Sequence, residues 1–316
     1  MNIDDYLGSF SSRYFGAGHK ETRYGYKTEN KKKSEYIFYM TQNGSWSTKN
    51  GIEQKAHLST IDGIVLANFA AELFMQTELQ VNIESIYLSK FEIRAGSSPI
   101  ENLDVISVGV IKKEIGTRVI KLHYRISGMK IVLEYKAIHH STFEKGNESI
   151  VQELNNKQDY LSNHLRFLRH DITNISNIGD KGIVCDVNRK SSLTKELKGV
   201  NSAISEVPSL IEWLIIFSQM AQVAAYNFDC MDRAESHTLW MKNVKAEIKE
   251  LSFQTMKQSM VWGEINQAKL LKMDDQTWRT FNLFGEAIDH NVEFTGKIAH
   301  QLPEDKRIGE VEKYAG

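Results

Sequence analysis

Four polar residues interrupt an otherwise apolar run between Ile61 and Glu78, namely Asp62, Asn68, Glu72 and Gln76. On a helix, at about 100° per residue, they fall within an arc of about 120°. A second apolar run, from Pro208 to about Phe228, carries Glu212, Ser218, Gln222 and Tyr226, each 150 positions after its counterpart. A carboxylate buried without a partner costs several kcal/mol or shifts its pKa upward, so Asp62, Glu72 and Glu212 need partners, solvent or a chemical role. Asp62 and Glu212 sit near helix N-termini, where free N–H groups and the dipole favour a carboxylate. Capping is therefore the rival reading for those two, and it is weaker for Glu72. For the whole stripe the bland reading is a face that only meets the other helix or solvent. His57 lies five residues before Asp62 and is the right type of group for acid or base work near neutral pH. The stretch before the second helix, Ser192 to Val207, has no histidine, so one working site rather than two is expected.

The elements that must carry these residues recur in the same order. The opening segment to about Tyr26 shows neither helical nor alternating periodicity and reads as a loop or arm. A basic run, Lys27 to Lys33, reads as a solvated turn. Glu35 to Thr41 reads as a strand ended by Asn43-Gly44. The first helix follows, then four strand-like stretches: Val81 to Arg94, Leu103 to Glu114, Arg118 to Ser127 and Lys130 to His140. Ser141 to Asp159 is polar and reads as a connection. Strand-like pieces at Asp171 to Ser176 and Gly182 to Asn188 precede the second helix, which Pro208 is suited to begin. Four more strands then follow, His237 to Leu251, Ser259 to Met273, Thr277 to Ile288 and His290 to His300, before a charged tail. His139 and His140, read as strand neighbours on opposite faces, do not form a chelating pair.

A helix apolar on most faces is best buried by wrapping the sheet of its own unit around it. Two such units give an α+β double hotdog, with an arm over residues 1–33, hotdog units over 34–150 and 151–303, and a tail over 304–316. Two α+β domains of another topology are the alternative. With 39 basic and 40 acidic residues the net charge is -1, which excludes a whole-molecule field that would draw the chain onto nucleic acid or anionic lipid. The two cysteines, Cys185 and Cys230, lack zinc-site spacing and are too few for a disulfide framework. No phosphate-binding or dinucleotide glycine pattern occurs, so neither metal nor cofactor is expected. The acidic N-terminus and the short apolar stretches predict a soluble cytoplasmic protein with no membrane partner.

The segment Ile215-Ile216-Phe217-Ser218-Gln219-Met220-Ala221-Gln222 resembles the helix of fatty-acid-type hotdog dehydratases, but the catalytic acid of that pattern falls on Ser218. A plain dehydratase is therefore disfavoured. The arm Ile3-Asp4-Asp5-Tyr6-Leu7-Gly8, with Arg13-Tyr14-Phe15-Gly16-Ala17-Gly18 and His57-Leu58-Ser59-Thr60-Ile61-Asp62, resembles the AvrD (avirulence D) family of bacterial proteins over nearly the whole chain. The resemblance implies an enzyme that joins a β-ketoacyl thioester to a pentulose such as xylulose, giving syringolide-like acyl-sugar elicitors. It is similar to the chemistry ascribed to butyrolactone-signal synthases.

Such a reaction needs an apolar slot, a base for the attacking hydroxyl and donors for the oxyanion. His57, Asp62 and Glu72 are the candidate catalytic residues. Asn68, Ser218, Glu212 and Gln222 are candidates for holding substrate, with Arg13 and Tyr14 closing over it from the arm. The donor would be carried on an acyl carrier protein or coenzyme A, the acceptor would be a sugar, and the chain would act as a monomer or homodimer. Rival readings are a hotdog thioesterase or dehydratase, and a non-catalytic acyl-ligand-binding or interaction protein.

Overall fold

The computed structural model describes residues 1–27, 34–139, 142–145, 159–193, 196–236, 239–255, 257–273 and 276–303. The first half runs α1 (Ile3–Leu7), β1 (Thr22–Lys27), β2 (Glu35–Gln42), a small hairpin β3 (Thr48–Lys49) and β4 (Ile52–Glu53), then α2 (Thr60–Thr77). It ends in a meander of β5 (Ile86–Arg94), β6 (Ile106–Ile115), β7 (Val119–Ile126) and β8 (Met129–Ala137). The second half runs α3 (Tyr160–Phe167), β9 (Leu168–Ile178), β10 (Gly182–Ser191) and α4 (Leu210–Phe228). Its meander is β11 (Leu239–Ile248), β12 (Ser259–Met273), β13 (Gln276–Ala287) and β14 (Val292–Gln301).

Both long helices start by the same local device. The Ser59 hydroxyl accepts from the Asp62 N–H at 3.2 Å while the Asp62 carboxylate accepts from the Ser59 N–H at 2.8 Å. Ser209 and Glu212 repeat this at 3.3 and 2.8 Å. Each reciprocal pair satisfies two orphan donors of a first turn, which accounts for a carboxylate at both positions. Pro208 consequently lies just outside α4, before its cap Ser209, rather than in the first turn.

Helices so apolar around their circumference must be enclosed. Every residue of α2 from Thr60 to Met75 is buried, as is every residue of α4 from Leu210 to Ala221. Fully buried side chains such as Ile64, Leu66 and Ile216 each contribute about 1.5–3 kcal/mol relative to exposure. The enclosing layer is one twelve-stranded antiparallel sheet in the order β1-β2-β6-β7-β8-β5-β11-β14-β13-β12-β10-β9. β6, β7 and β8 pack on α2, and β10 to β13 pack on α4. The halves meet where β5 pairs β11, with Ile93 opposite Val244 and Phe91 opposite Ala246. The irregularities repeat too. β5 breaks register between Leu88 and Lys90 and β11 between Met241 and Asn243, while β6 and β12 break between Val110 and Lys112 and between Ile265 and Gln267. Two six-stranded halves of this sheet, each wrapped on its own helix, make a double hotdog.

Several local expectations change. The opening segment is not a loose arm: Asn2 caps α1, Ile3 and Leu7 are buried, α1 packs on α4, and Thr22–Lys27 forms the edge strand β1. The stretch from Val81 to Ser85 precedes the strand rather than joining it, and β8 ends at Ala137, so His139 lies beyond it and stacks on Phe253. Helix α3 was not anticipated. The basic run past Lys27, His140, most of the 141–159 connection and the tail from 304 lie outside the described residues. No helix among the described residues is long and apolar enough to cross a membrane.

Candidate active site

Between the halves lies a cavity of about 350 Å³. Its floor is the face of α4 that carries Ser218, Ala221, Gln222 and Tyr226, so three members of the polar stripe on that helix line it. One wall is apolar, made by Leu239, Met241, Leu283, Phe294 and Ile298 from the second meander. The first half contributes the polar groups of Trp46, His57, Ser59 and Thr60, with Tyr14 from the opening segment, beside apolar Leu58, Ile100 and Met129. Behind Phe294 of the apolar wall lies the Phe217 ring, from which a Cβ on Gly285 would sit 2.7 Å away. That ring stacks on Phe294 with centroids 4.9 Å apart.

The polar groups of the first half are ordered through Asp62, which does not itself line the cavity. Its carboxylate, 0 % exposed, accepts from Tyr24 Oη at 2.7 Å and Tyr14 Oη at 3.2 Å besides the Ser59 N–H. Burial raises the Asp62 pKa against the opposing pull of these hydrogen bonds. Tyr14 is pushed well above an ordinary tyrosine, first by burial and then by the Asp62 charge, so it remains a hydroxyl donor. The Tyr14 hydroxyl also meets the Ser59 hydroxyl, and its ring stacks on Trp46 at 4.6 Å. Trp46 in turn packs against the His57 ring at 4.3 Å. His57 Nδ1 lies 3.2 Å from the Lys55 carbonyl oxygen. Thr60 Oγ1 and Trp46 Nε1, both in lining residues, are buried polar atoms with no partner among the described residues.

Arg13 lines the cavity but is 3 % exposed and committed to a strut. It donates to Gln219 Oε1 of α4 at 2.7 Å, to the Ser9 carbonyl and to the Asp4 carboxylate of α1. Burial brings its pKa down to about 10. It thus fastens the opening segment to α4 instead of closing over a substrate from a moving arm.

Three candidates lie elsewhere. Glu212, 0 % exposed, meets Arg189 Nε at 2.7 Å and His170 Nε2 at 3.1 Å behind the α4 cap. Burial opposes its ionisation, but Arg189 and the histidines outweigh burial and hold it below the usual carboxylate range. Neighbouring His164 is brought by burial down to about 4. Glu72 and Asn68 belong to the α2 stripe, which protein covers. Asn68 Oδ1 accepts from Tyr135 Oη at 3.0 Å, and Glu72 Oε1 accepts from Asn68 at 3.0 Å and from the Val200 N–H at 2.8 Å. Glu72 also meets the Asp159 carboxyl, and burial followed by that neighbour raises its pKa well above an ordinary glutamate. The segment around Val200 is anchored to β5: Asn201 N–H donates to the Ile86 carbonyl at 3.0 Å, and Asn201 Oδ1 accepts from the Leu88 N–H at 3.1 Å.

Ser59, Thr60, Trp46 and the cations Lys49 of β3 and Arg233 line the cavity without having been singled out in the sequence. The Ser59-x-x-Asp62 spacing was the available signal for the first; the others are brought in by tertiary packing. Among the described residues no cluster of His, Cys, Asp or Glu is arranged to hold a metal ion.

Solved structures with a similar course of chain include the tesB protein of Mycobacterium avium subs paratuberculosis, 7 % identical, covering 87 % of this chain and 96 % of that one with a TM-score of 0.46. A conserved hot dog fold protein of unknown function from Alicyclobacillus acidocaldarius is 7 % identical, with 92 % and 98 % covered and a TM-score of 0.47. The 12:0-ACP thioesterase of Umbellularia californica is 6 % identical, with 86 % and 99 % covered and a TM-score of 0.38. No curated protein matches the sequence. The sequence model described as Pseudomonas avirulence D protein (AvrD) matches residues 1–303, and the chain belongs to that family.

Proposed function

We propose that this protein is a biosynthetic enzyme that joins a β-ketoacyl thioester, carried on coenzyme A or an acyl carrier protein, to a sugar such as xylulose. The observation that carries the reading is the mixed lining of one cavity: apolar side chains beside α4, Leu283, Phe294 and Ile298 among them, share it with hydroxyl, indole and imidazole groups. An acyl chain fits the first, and a polyhydroxylated acceptor fits the second. Membership of the AvrD family, linked to syringolide-like elicitors, supports the pairing.

His57 is the base of the proposed step. Its contact with the Lys55 carbonyl favours the proton on Nδ1 and leaves Nε2 to accept one. Nε2 takes the proton of a sugar hydroxyl as that oxygen attacks the thioester carbon. The resulting oxyanion collapses, the C–S bond breaks, and the leaving thiolate takes the proton back from the imidazolium. Donors for the oxyanion are the Thr60 and Ile61 N–H groups, which neither the helix ladder nor the Ser59–Asp62 cap engages, and the Ser218 and Gln222 side chains. Asp62 is a positioning residue that acts through Tyr14 and Ser59.

The test is mass spectrometry of protein incubated with a β-ketoacyl thioester, with and without xylulose. A sugar-dependent acyl adduct formed in step with free thiol is the expected result. Thiol release that ignores the sugar would assign hydrolysis, and bound ligand without turnover would leave a binding protein. His57→Gln should lower turnover by about 10²–10⁴-fold with unchanged melting temperature; full activity in that variant would remove His57 from the step.

A further inference from the structure

The charged side chains around the cavity are unbalanced. Arg13, Lys49, Lys55 and Arg233 line it, against a single lining carboxylate, Glu101. Arg13 is neutralised by Asp4 and Lys55 by Glu101. Arg233 is not neutralised. Its Nη1 donates to the Thr48 carbonyl at 3.1 Å, and its Nη2 donates to the Ser12 carbonyl at 3.3 Å and the Ser47 hydroxyl at 3.0 Å, all uncharged oxygens. Among the described residues no carboxylate pairs with it.

Lys49 is brought beside it by the same cross-links. It follows Thr48 in the hairpin that Arg233 grips, and its Nζ donates to the Ser236 carbonyl at 3.1 Å, three residues beyond Arg233. Burial, and after it the charge of Arg233, brings the Lys49 pKa down to about 8. Both side chains are half-buried, as are Leu239 and Met241 of the apolar wall, whereas Leu283, Phe294 and Ile298 are buried. A fold that holds two cations together, one gripped only by neutral oxygens, favours any anion that can reach both.

We propose that Lys49 and Arg233 form an anion subsite that takes the phosphate ester of a substrate whose remaining part enters the cavity. A phosphate monoester carries close to two charges and several acceptor oxygens, and it suits a guanidinium beside an ammonium better than a single carboxylate does. Two substrates of the proposed reaction can bring that chemistry: the phosphopantetheine arm of the thioester donor, or an acceptor ketose bearing a phosphate. Only this choice of ligands rests on the reaction proposed above.

The experiment is calorimetric titration of the full chain with two matched pairs: decanoyl 4′-phosphopantetheine against decanoyl pantetheine, and xylulose 5-phosphate against xylulose. One phosphorylated member should bind at least about tenfold more tightly than its partner, as two charge-assisted contacts predict, and the pair that discriminates identifies the source. The advantage should fall below about threefold in Lys49→Met and in Arg233→Gln, and Arg233→Lys should restore part of it. Lys49→Met keeps the test open if Arg233→Gln loosens the hairpin and fails to fold. Equal binding within both pairs, or an advantage that survives both variants, overturns the subsite. Binding is read without turnover, so phosphate discrimination with no acyl-sugar product would remove the proposed reaction and leave the subsite. A product formed without discrimination would do the reverse.

Discussion

Replacing Glu72 with glutamine should make the protein less sensitive to alkali. Glu72 is 5 % exposed, and it meets Asp159 beside Gly199, where a Cβ would lie 2.9 Å from Glu72 Oε1 and 3.1 Å from Asp159 Oδ2. Burial, then the Asp159 charge, raises the Glu72 pKa, so the folded chain holds a proton there that the unfolded chain releases above about pH 4.3. The sign follows. The stabilisation is complete below the unfolded pKa and is lost as pH rises toward the folded one. Over that interval the group removes about 1.4 kcal/mol per pH unit, or about 2 °C in melting temperature for a chain of this length. Glutamine keeps an Oε1 to accept from Val200 and Asn68, and its amide donates to Asp159 without a proton to lose. Melting curves between pH 5 and 8 should start within about 1 kcal/mol of each other and separate in favour of Glu72→Gln as pH rises. Parallel profiles would refute the reasoning.

Glu212→Ala leaves Arg189 buried without its carboxylate and removes half of the α4 cap, so it should cost about 3–5 kcal/mol in denaturant unfolding. Because the Glu212 pKa is held down in the fold, its contribution is present above about pH 4.3 and is lost on acidification; the deficit of the variant should shrink in acid. Gly285→Ala places a methyl into the Phe217 ring and should cost about 1–3 kcal/mol. Its second readout is substrate range: Phe217 displaced toward Phe294 should shorten the longest acyl chain bound, measured across a series of thioesters.

The long elements were legible because their signals are local. Apolar runs of α2 and α4 exceed strand length, and the serine-acid caps announce their starts at Ser59 and Ser209. Eight meander strands were found to within a few residues. Helix α1 escaped notice because its five residues are stable only against α4 and β9, contacts far away in sequence. Helix α3 was hidden in a polar stretch, although Asp159 as its cap and the spacing of Tyr160, Leu161, His164 and Leu165 mark it in retrospect. At the site, the stripe on α4 and His57 could be picked out by type and period. Whether a stripe residue meets a cavity or a partner chain segment could not be read, since Val200, Asp159 and Tyr135 reach α2 from elsewhere. Lys49 and Arg233 are unremarkable in sequence and are brought together by contacts that include the Thr48 and Ser236 carbonyls and the Ser47 hydroxyl.

The covered stripe on α2 and the open one on α4 bear on why two units share one polypeptide. In a symmetric homodimer every residue appears twice, and a segment that fills one inter-subunit cleft fills both. Fusing the copies removes that constraint. The Gly199-Val200-Asn201 turn can seal one cleft and tie the halves together, while its counterpart before α2 stays open and presents His57. One copy is then free to carry exposed polar groups and an unfilled space, features that weaken a fold, because the other is free to be filled solid.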